Sequence, residues 1–440
     1  MRKQSYHLIN QPKEDLKREI TLWGLSANLV NIMIGAGIFV LPALVAAKLG
    51  TASILAYFVC GLLVSLVMLC FAEAGSRVTE TGGPYSYIEE AFGKYAGFLA
   101  ANFFLLSALF SDGAVSNAVV DILKTFFPIL DQWIYRTLVM FMIFGGLTLI
   151  NVLGIKQGIG LVKFITLVKL IPILVLIVMG WTEVDPANLA WEETPEFSNL
   201  LQTSLLLFFA FQGAESGLTV SGEVKNPSRI IPRAIFVAIF GVLFIYVMIQ
   251  VVSQGVLGDT LGDYTESPLA EVAGRIFGPW GFTFLTIAAA ISMFGTMSSE
   301  ILSLPRMLYG AARDNIIPPK SLSKIHPKYK TPYIAIIVYA GTGFILSIVG
   351  NFKYLAVMSS SFILLLYLGV VLSIFNLRKT TSAGKGVFVI PGGYTVPVAA
   401  AVVVIILLFG LNQNELLGGL VSIAILSVVF LLTKKLRSSD

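Results

Sequence analysis

Four ionisable residues lie inside long apolar stretches of the sequence: Asp112, Lys169, Glu215 and Glu300. At 1.5 Å of helix rise per residue, Asp112 lies about 22 Å and Lys169 about 15 Å from the start of its stretch, and Glu300 lies about 20 Å in from Arg313. Glu215 lies beside a glycine-rich sequence in the middle of another stretch. Charged groups in hydrocarbon are costly, so all four are candidate functional residues.

The composition shows what kind of chain positions these charges. Of the 440 residues, 56% are hydrophobic and only 12% are charged, and the mean hydropathy is +0.85. A soluble domain carries about a quarter of its residues as charged side chains. We therefore predict a membrane protein that crosses the bilayer many times.

Residue types that build metal sites, disulfides or catalytic clusters are scarce. Cys60 and Cys70 share one apolar stretch without a disulfide framework or metal motif, and His7 and His326 lie far from any second ligand. No Ser/His/Asp or Cys/His cluster is recognisable. We therefore expect no metal, no cofactor and no enzyme activity. The net charge of +5 follows from membrane topology and requires no nucleic-acid partner.

Twelve apolar stretches approach the length of about 20 residues that crosses the hydrocarbon core. They are 21–47, 52–77, 96–127, 134–153, 159–181, 199–221, 234–257, 280–312, 333–350, 354–377, 396–412 and 415–433. Lys and Arg concentrate in every second connecting segment, whereas the loop 182–198 has neither. The positive-inside rule then places the tails 1–20 and 434–440 in the cytoplasm. The N-terminal tail has no signal-peptide pattern, and the expected location is the plasma membrane, the inner membrane of a bacterium.

Two of these stretches are interrupted by glycines near mid-membrane. The first contains IGAGIFVLP at 34–42 and the sixth contains FAFQGAESG at 209–217. They begin two five-span halves, 21–181 and 199–378, and the spans within 396–433 are additional. Interruptions at matching positions of two halves are typical of a transporter binding site. Freed N–H groups can hold a carboxylate and freed C=O groups an ammonium, as an amino acid requires. The alternative is that the glycines only allow helices to pack closely.

Several motifs together resemble the amino acid–polyamine–organocation (APC) superfamily over nearly the whole chain. They are GAGIFVLPA, FAFQGAESG followed by EVKNPSRIIPRA, TGGPYSYIEEAFG, RMLYGAARDNIIPP and VIPGGYTVP. The length and the GAES sequence are similar to the bacterial basic amino acid and polyamine antiporters, including the arginine–agmatine antiporter. The resemblance implies an all-α LeuT-type fold of two inverted five-helix repeats plus two extra helices. It also implies alternating access to a central site between spans 1, 3, 6, 8 and 10.

The resemblance also assigns site residues. Substrate-binding positions are Ile34, Gly35, Ala36, Gly37, Ile38, Phe209, Ala210, Gly213 and Ser359. Phe209 matches an aromatic gate position, and Ser359 is either polar lining or a packing residue. Glu215 matches a glutamate associated with gating and proton-dependent transport, with capping of the broken helix as the alternative.

The other three buried charges also have two interpretations each. Glu300 aligns with a position where the arginine–agmatine antiporter has a substrate-stacking tryptophan. A carboxylate there could bind a cationic substrate group or pair with Lys169 or Arg306. Asp112 falls within about one residue of an asparagine that lines the family's site, and is either a substrate contact or a structural partner. Lys169 matches a lysine that replaces sodium in sodium-independent members, although the antiporters with the GxES sequence tend to lack it; the alternative is snorkelling.

Three buried acids and one lysine give a pocket that is negative if all of them are ionised. We therefore expect sodium-independent exchange or proton-coupled transport of a basic amino acid or polyamine. A neutral amino acid is the alternative if Asp112 and Glu300 are protonated or paired with each other. A transporter-like amino acid sensor is a further alternative, disfavoured by the short tails. The loop 124–136 has no cysteine, so no heavy-chain partner is expected; the lipid bilayer is a partner and a homodimer is left open.

Overall fold

The computed structural model describes residues 20–78, 83–153, 169–191, 194–218, 224–313, 316–380 and 387–437. Within these ranges the chain is helical and has no β-strand. The first eight helices are α1 (Leu22–Met33), α2 (Gly37–Leu49), α3 (Ser53–Arg77), α4 (Pro84–Phe92), α5 (Lys94–Lys124), α6 (Trp133–Leu153), α7 (169–180) and α8 (Phe197–Phe208). The next eight are α9 (Ala214–Gly217), α10 (Pro227–Leu257), α11 (Pro268–Phe277), α12 (Pro279–Arg313), α13 (Tyr333–Val349), α14 (Phe352–Thr380), α15 (Thr395–Phe409) and α16 (Gln413–Arg437).

Seven helical segments in the described ranges are long and apolar enough to cross a membrane. They are Gly37–Arg77, Lys94–Lys124, Trp133–Leu153, Pro227–Asp263, Pro279–Arg313, Phe352–Thr380 and Glu415–Leu432. Shorter apolar helices are α1, α13 and α15. The chain is thus an all-helical, multi-pass membrane protein. Residues 159–168 of the predicted span 159–181 lie outside the described residues, as do residues 1–19 and 438–440 of the two tails.

Two helices were not predicted as elements of their own. The prolines of α4 and α11 occupy the start of each helix, where a missing N–H costs no hydrogen bond. With nine and ten residues, they are too short to cross a membrane. The acidic segment 258–275 therefore reads as a loop in the sequence, although α11 packs Leu269 and Val272 into the core.

The long helix α5 lies at the centre of the bundle. It packs against α4, α12, α13 and α14, while α10 packs against α1 and α3. Small residues such as Ala100, Ala101, Gly113 and Ala114 are buried along α5. Small side chains let helix backbones approach closely in membranes, which explains how one helix accommodates several neighbours.

One end of the bundle is fastened by a buried ionic network around Glu73 of α3. Its carboxylate accepts hydrogen bonds from Arg378 Nε (2.8 Å) and Nη2 (2.6 Å) on α14, and from the Ile390 N–H (2.9 Å). Arg77 adds a contact at 2.8 Å. The guanidinium of Arg378 also donates to the Gly393 carbonyl and lies 4.8 Å from the centre of the Tyr394 ring. The network therefore joins α3, α14 and the segment before α15.

We predict that Arg378→Lys weakens this network without unfolding the protein. Lysine keeps the charge but loses the two-pronged contact with Glu73 and the stacking on Tyr394. The free energy of unfolding is expected to fall by about 1–2 kcal/mol, measured by chemical unfolding in detergent micelles. The exposed neighbour Lys379 is the control: Lys379→Arg is expected to change stability by less than about 0.5 kcal/mol. Equal stability of Arg378→Lys and the wild type would contradict the structural role of the network.

Candidate functional site

The first predicted interruption separates α1 from α2 at residues 34–36. The Ile34 N–H closes α1 on the Val30 carbonyl (3.0 Å), and the Gly35 N–H turns back to Met33 (2.9 Å). A new helix then begins at Gly37. The first N–H groups of a helix have no acceptor within that helix. The start of α2 therefore offers polar backbone in the middle of the bundle.

The second interruption separates α8 from the short α9. A 3₁₀ turn over Phe209–Phe211 follows α8, and Gly213 adopts φ +111°. Only glycine takes this conformation at little cost. A side chain at Gly213 would also meet Ile32 Cγ2 at 2.8 Å. Conformation and space therefore both require the glycine.

The two interruptions touch each other. A Cβ atom added at Gly37 would lie 2.8 Å from both Cα and Cβ of Ala210. The Tyr246 hydroxyl of α10 lies 2.8 Å from the Met33 carbonyl oxygen and 2.7 Å from that of Ala210. It therefore bridges the two breaks. Sequence analysis missed Tyr246, because a tyrosine in an apolar helix has no distinguishing local pattern.

A cavity of about 40 Å³ lies between the breaks and helices α5 and α12. Eight of the predicted site residues line it: Gly35, Ala36, Gly37, Phe209, Ala210, Gly213, Glu215 and Glu300. Ten further lining residues were not predicted: Ile32, Met33, Phe104, Ser107, Ala108, Ser111, Val115, Gln212, Ser216 and Thr296. The predicted residues Ile34, Ile38, Asp112, Lys169 and Ser359 lie behind this lining.

Asp112 and Glu300 form a pair of carboxyl groups. Asp112 is fully buried and its Oδ2 accepts a hydrogen bond from the Tyr339 hydroxyl at 2.9 Å. The two carboxyl groups lie close enough for each to affect the other electrostatically. Asp112 Oδ1 and Glu300 Oε2 have no hydrogen-bond partner among the described residues. Ionised carboxylates only accept hydrogen bonds, so a hydrogen bond between the two groups would require a proton on one of them.

This pairing differs from the two partners predicted for Glu300. The Arg306 guanidinium donates to the Leu302 carbonyl on its own helix, and Lys169 is occupied elsewhere. Neither cation forms an ion pair with Glu300 within the part of the chain described. The sequence pointed to cationic partners because it shows charge but not which helix faces which. Of the two carboxyl groups, Glu300 lines the cavity and Asp112 supports it from behind.

Lys169 holds the first interruption in place from α7. Its ammonium donates to the carbonyl oxygens of Asn31 and Ile34, the latter at 2.9 Å. The side chain is only 2% exposed, so it is buried among carbonyl groups rather than snorkelling to the surface. Helix interruptions leave carbonyls without intrahelical donors, and Lys169 satisfies two of them.

Glu215 fastens the second interruption. Its Oε1 accepts the Gly213 N–H (2.9 Å) and its Oε2 accepts the Tyr367 hydroxyl of α14 (2.6 Å). The Tyr367 ring packs edge-on against Phe71 and Phe208. Glu215 thus makes the contacts of a capping residue and also lines the cavity. The two predicted roles of Glu215, gating with proton-dependent transport and capping of the broken helix, are therefore compatible at this position.

We predict that Tyr367→Phe loosens the second interruption. The ring and its packing remain, but one donor to Glu215 is lost, so the free energy of unfolding is expected to fall by about 1–2 kcal/mol. Chemical unfolding in detergent measures this change. Tyr354→Phe at a half-exposed position of the same helix serves as the control and is expected to have no effect. If the free energy of unfolding of Tyr367→Phe equals that of the wild type, the hydroxyl does not stabilise the site.

A short polar chain connects α5, the second interruption and α14. Ser107 Oγ donates to the Ser359 carbonyl (3.0 Å), and Ser359 Oγ donates to Gln212 Oε1 (2.9 Å). The Gln212 amide in turn donates to Ser360 (2.8 Å). Ser359 therefore positions two lining residues, Ser107 and Gln212. Gln212 could have been identified from the sequence, because it lies between the aromatic residues and the glycines of FAFQGAESG.

Two interrupted helices around a cavity inside a membrane-spanning bundle are typical of transporter binding sites. Comparison with known proteins identifies the family: a family model described as amino acid permease matches residues 20–432. The chain belongs to the amino acid permease family of the APC superfamily. Its members are transporters, so the chain is a transporter and not an enzyme.

Individual relatives span much of the chain. The serine/threonine exchanger SteT of Bacillus subtilis (strain 168) is 28% identical over 403 residues, covering 86% of this chain and 87% of SteT. The branched-chain amino acid permease BcaP of the same organism is 24% identical over 442 residues, covering 97% of this chain and 95% of BcaP. The cationic amino acid transporter 4 of Mus musculus is 27% identical over 383 residues, covering 82% of this chain and 60% of the mouse protein. All three names denote amino acid transport.

Proposed function

We propose that this protein is a sodium-independent secondary active transporter of neutral amino acids that works by alternating access. The observation that carries the substrate class is the closeness of the Asp112 and Glu300 carboxyl groups. A proton held between the two groups would lower the negative charge of the pair from two units to one and would engage the Glu300 carboxyl, which leaves it less able to pair with a cationic substrate. The names of SteT and BcaP, which denote serine, threonine and branched-chain substrates, support the same class.

The proposed architecture is a LeuT-type arrangement of twelve spans. The halves 21–181 and 199–378 are the inverted repeats, and α15 and α16 are the additional helices. The placement of the two short helices supports this division: α4 follows the second span of the first half, and α11 follows the second span of the other. The distribution of Lys and Arg supports cytoplasmic termini.

The backbone at the two interruptions is proposed to hold the α-carbon end of the substrate. The N–H groups at the start of α2, around Ala36 and Gly37, suit a carboxylate because the first N–H groups of a helix have no acceptor within it and lie at the positive end of the helix dipole. Carbonyl groups of the second interruption, beginning at Phe209, suit the ammonium. The substrate side chain then extends toward Ser107 of α5 and Glu300 of α12.

Lys169 is proposed to take the place of a sodium ion. Its ammonium already occupies the carbonyl oxygens of Asn31 and Ile34, oxygens of the type that hard cations prefer. A sodium ion there would be repelled by the lysine. Glu215 is proposed to connect the second interruption to protonation, since it lines the cavity and holds the Gly213 N–H.

A basic amino acid or polyamine remains the second candidate substrate. Glu300 favours it, because its carboxyl group lines the cavity and could bind a cationic group if that group displaced Asp112. The name of the mouse cationic amino acid transporter 4 supports a related specificity within the family.

Counterflow in liposomes tests the function. Proteoliposomes loaded with unlabelled serine, threonine, leucine, arginine, lysine or putrescine take up the same labelled compound. We expect uptake with one or more neutral amino acids and none with arginine, lysine or putrescine, at equal rates in sodium and choline chloride. A Glu300→Gln variant is expected to keep neutral exchange, because a glutamine can still contact Asp112.

Three outcomes would change the conclusion. Uptake of arginine, lysine or putrescine that is lost in Glu300→Gln would identify the second candidate. A requirement for sodium would contradict the role of Lys169. Thermal stabilisation by an amino acid without counterflow of any compound would indicate a sensor rather than a transporter.

A further inference from the structure

A second cavity, distinct from the substrate site, lies between α5, α12, α13 and the segment 317–322. Its volume is about 310 Å³. Nearly all of its lining is apolar: Leu105, Leu109, Leu308, Ile317, Pro318, Pro319, Leu322, Ile334, Val338 and Tyr339, with hydroxyl groups from Ser321 and Thr342. A cavity with so few polar partners binds water poorly. It suits a hydrocarbon ligand.

The cavity opens on a face of the protein that lipid would cover. Ile334, Val338 and Thr342 recur at every fourth residue and form one stripe along α13. Val338 is 44% exposed and its neighbour Ile337 is 51% exposed. Exposed apolar side chains on a membrane-spanning helix contact acyl chains. The cavity is therefore accessible from the bilayer.

One end of the cavity is bordered by positive charge. Ser321 and Leu322 belong to a 3₁₀ turn, Lys320–Ser323, and both line the cavity. Lys320 and Lys324 flank them and are exposed. Lys328 and Lys330 follow, and the sequence 313–330 contains one acidic residue, Asp314, against five Lys and Arg. Basic clusters at a membrane boundary attract anionic lipid head groups.

We propose that this cavity binds an anionic phospholipid. One acyl chain enters between α5 and α13, and the phosphate contacts Lys320 and Lys324. The apolar lining accounts for the chain, and the lysines account for the preference for a negative head group. Neither feature depends on the substrate class proposed above.

The position of Tyr339 connects this lipid site to the substrate cavity. Its ring lines the lipid site, and its hydroxyl donates to Asp112 Oδ2 at 2.9 Å. The Asp112 carboxyl interacts electrostatically with that of Glu300, which lines the substrate cavity. An acyl chain that packs on the ring fixes the hydroxyl, and through it the orientation of the carboxyl pair. Lipid binding is therefore expected to affect transport as well as stability.

Native mass spectrometry of the purified full-length protein tests the proposal. The protein is titrated in detergent with dioleoyl phosphatidylglycerol or dioleoyl phosphatidylcholine. We expect tighter retention of phosphatidylglycerol. Lys320→Gln with Lys324→Gln should weaken that retention about 30-fold, because each lysine contributes about fivefold, without affecting phosphatidylcholine. Lys379→Gln, an exposed lysine on α14, is the matched charge control and should have no effect.

A second pair of variants tests the cavity itself. Val338→Phe narrows its mouth and should reduce retention of phosphatidylglycerol at least tenfold, whereas Ile337→Phe, one residue away on the exposed face, should not. Melting temperatures without lipid show whether each variant is folded, and the exposed lysine variants test the site independently of packing.

Several results would overturn the proposal. They are equal retention of both lipids by the wild type, equal loss in Lys379→Gln and the double lysine variant, and equal behaviour of Val338→Phe and Ile337→Phe. Loss of a dimer rather than of lipid in Val338→Phe would identify the cavity as a contact between two copies of the chain and would also refute lipid binding.

Discussion

Gly37→Ala is expected to lower the rate of amino acid exchange about 10- to 100-fold. The new methyl group would lie 2.8 Å from the backbone Cα of Ala210, so the two interruptions must move apart. Forced overpacking of this kind costs about 1–3 kcal/mol, and the cost falls on the contact between the elements that bind the substrate. Counterflow in liposomes measures the effect at equal amounts of reconstituted protein.

Two other glycines provide graded controls for this variant. An added methyl at Gly35 would meet Thr296 Cγ2 at 3.4 Å, an ordinary contact distance, and one at Gly146 would have no neighbour within 4 Å. Gly35→Ala is therefore expected to have a small effect and Gly146→Ala none. If Gly37→Ala exchanges at the wild-type rate, the two interruptions do not need their close contact for transport.

Lys169→Met is expected to lower the free energy of unfolding by about 3–5 kcal/mol and to abolish measurable exchange. Methionine has a similar length and no charge, so the variant removes the donor to the carbonyls of Asn31 and Ile34. Each hydrogen bond to a charged group contributes about 1.5–3 kcal/mol. Chemical unfolding in detergent and counterflow in liposomes measure the two effects separately.

Further variants separate the charge of Lys169 from its packing. Lys169→Arg keeps a cationic donor and is expected to recover part of the stability. Lys379→Met, at an exposed position, should change neither quantity. Wild-type stability and sodium-independent exchange in Lys169→Met would contradict both the structural role and the proposed replacement of sodium.

The sequence predicted the interrupted helices well, because their signal is local. Glycines cost free energy within a helix, and a cluster of them in an apolar stretch marks the break at 34–36 as well as the break around Gly213. The lining residues on α5 and α12 were mostly missed. Ser111 and Thr296 have no local pattern that separates a cavity-facing hydroxyl from one that packs against a neighbouring helix.

Partners of the buried charges could not be predicted for a related reason. Asp112, Glu300 and Lys169 were recognised as exceptional because hydrocarbon makes any charge exceptional. Which of them meet depends on helix rotation and tilt, which arise from packing between segments far apart in the chain. In the structure the two acids lie close together and the lysine donates to backbone carbonyls. This arrangement shifts the proposed substrate from basic to neutral amino acids.

The amino-acid sequence by itself determined that this is an all-helical membrane protein of the APC superfamily with two interrupted helices. Those properties follow from composition, from the length of apolar stretches and from glycine motifs, each of which acts within about 20 residues. Only the tertiary structure decided that Tyr246 joins the two interruptions, that Glu73 fastens α3 to α14 and that Asp112 meets Glu300. These contacts join residues separated by between 36 and 305 positions, and such pairings are set by how whole helices pack rather than by any local pattern.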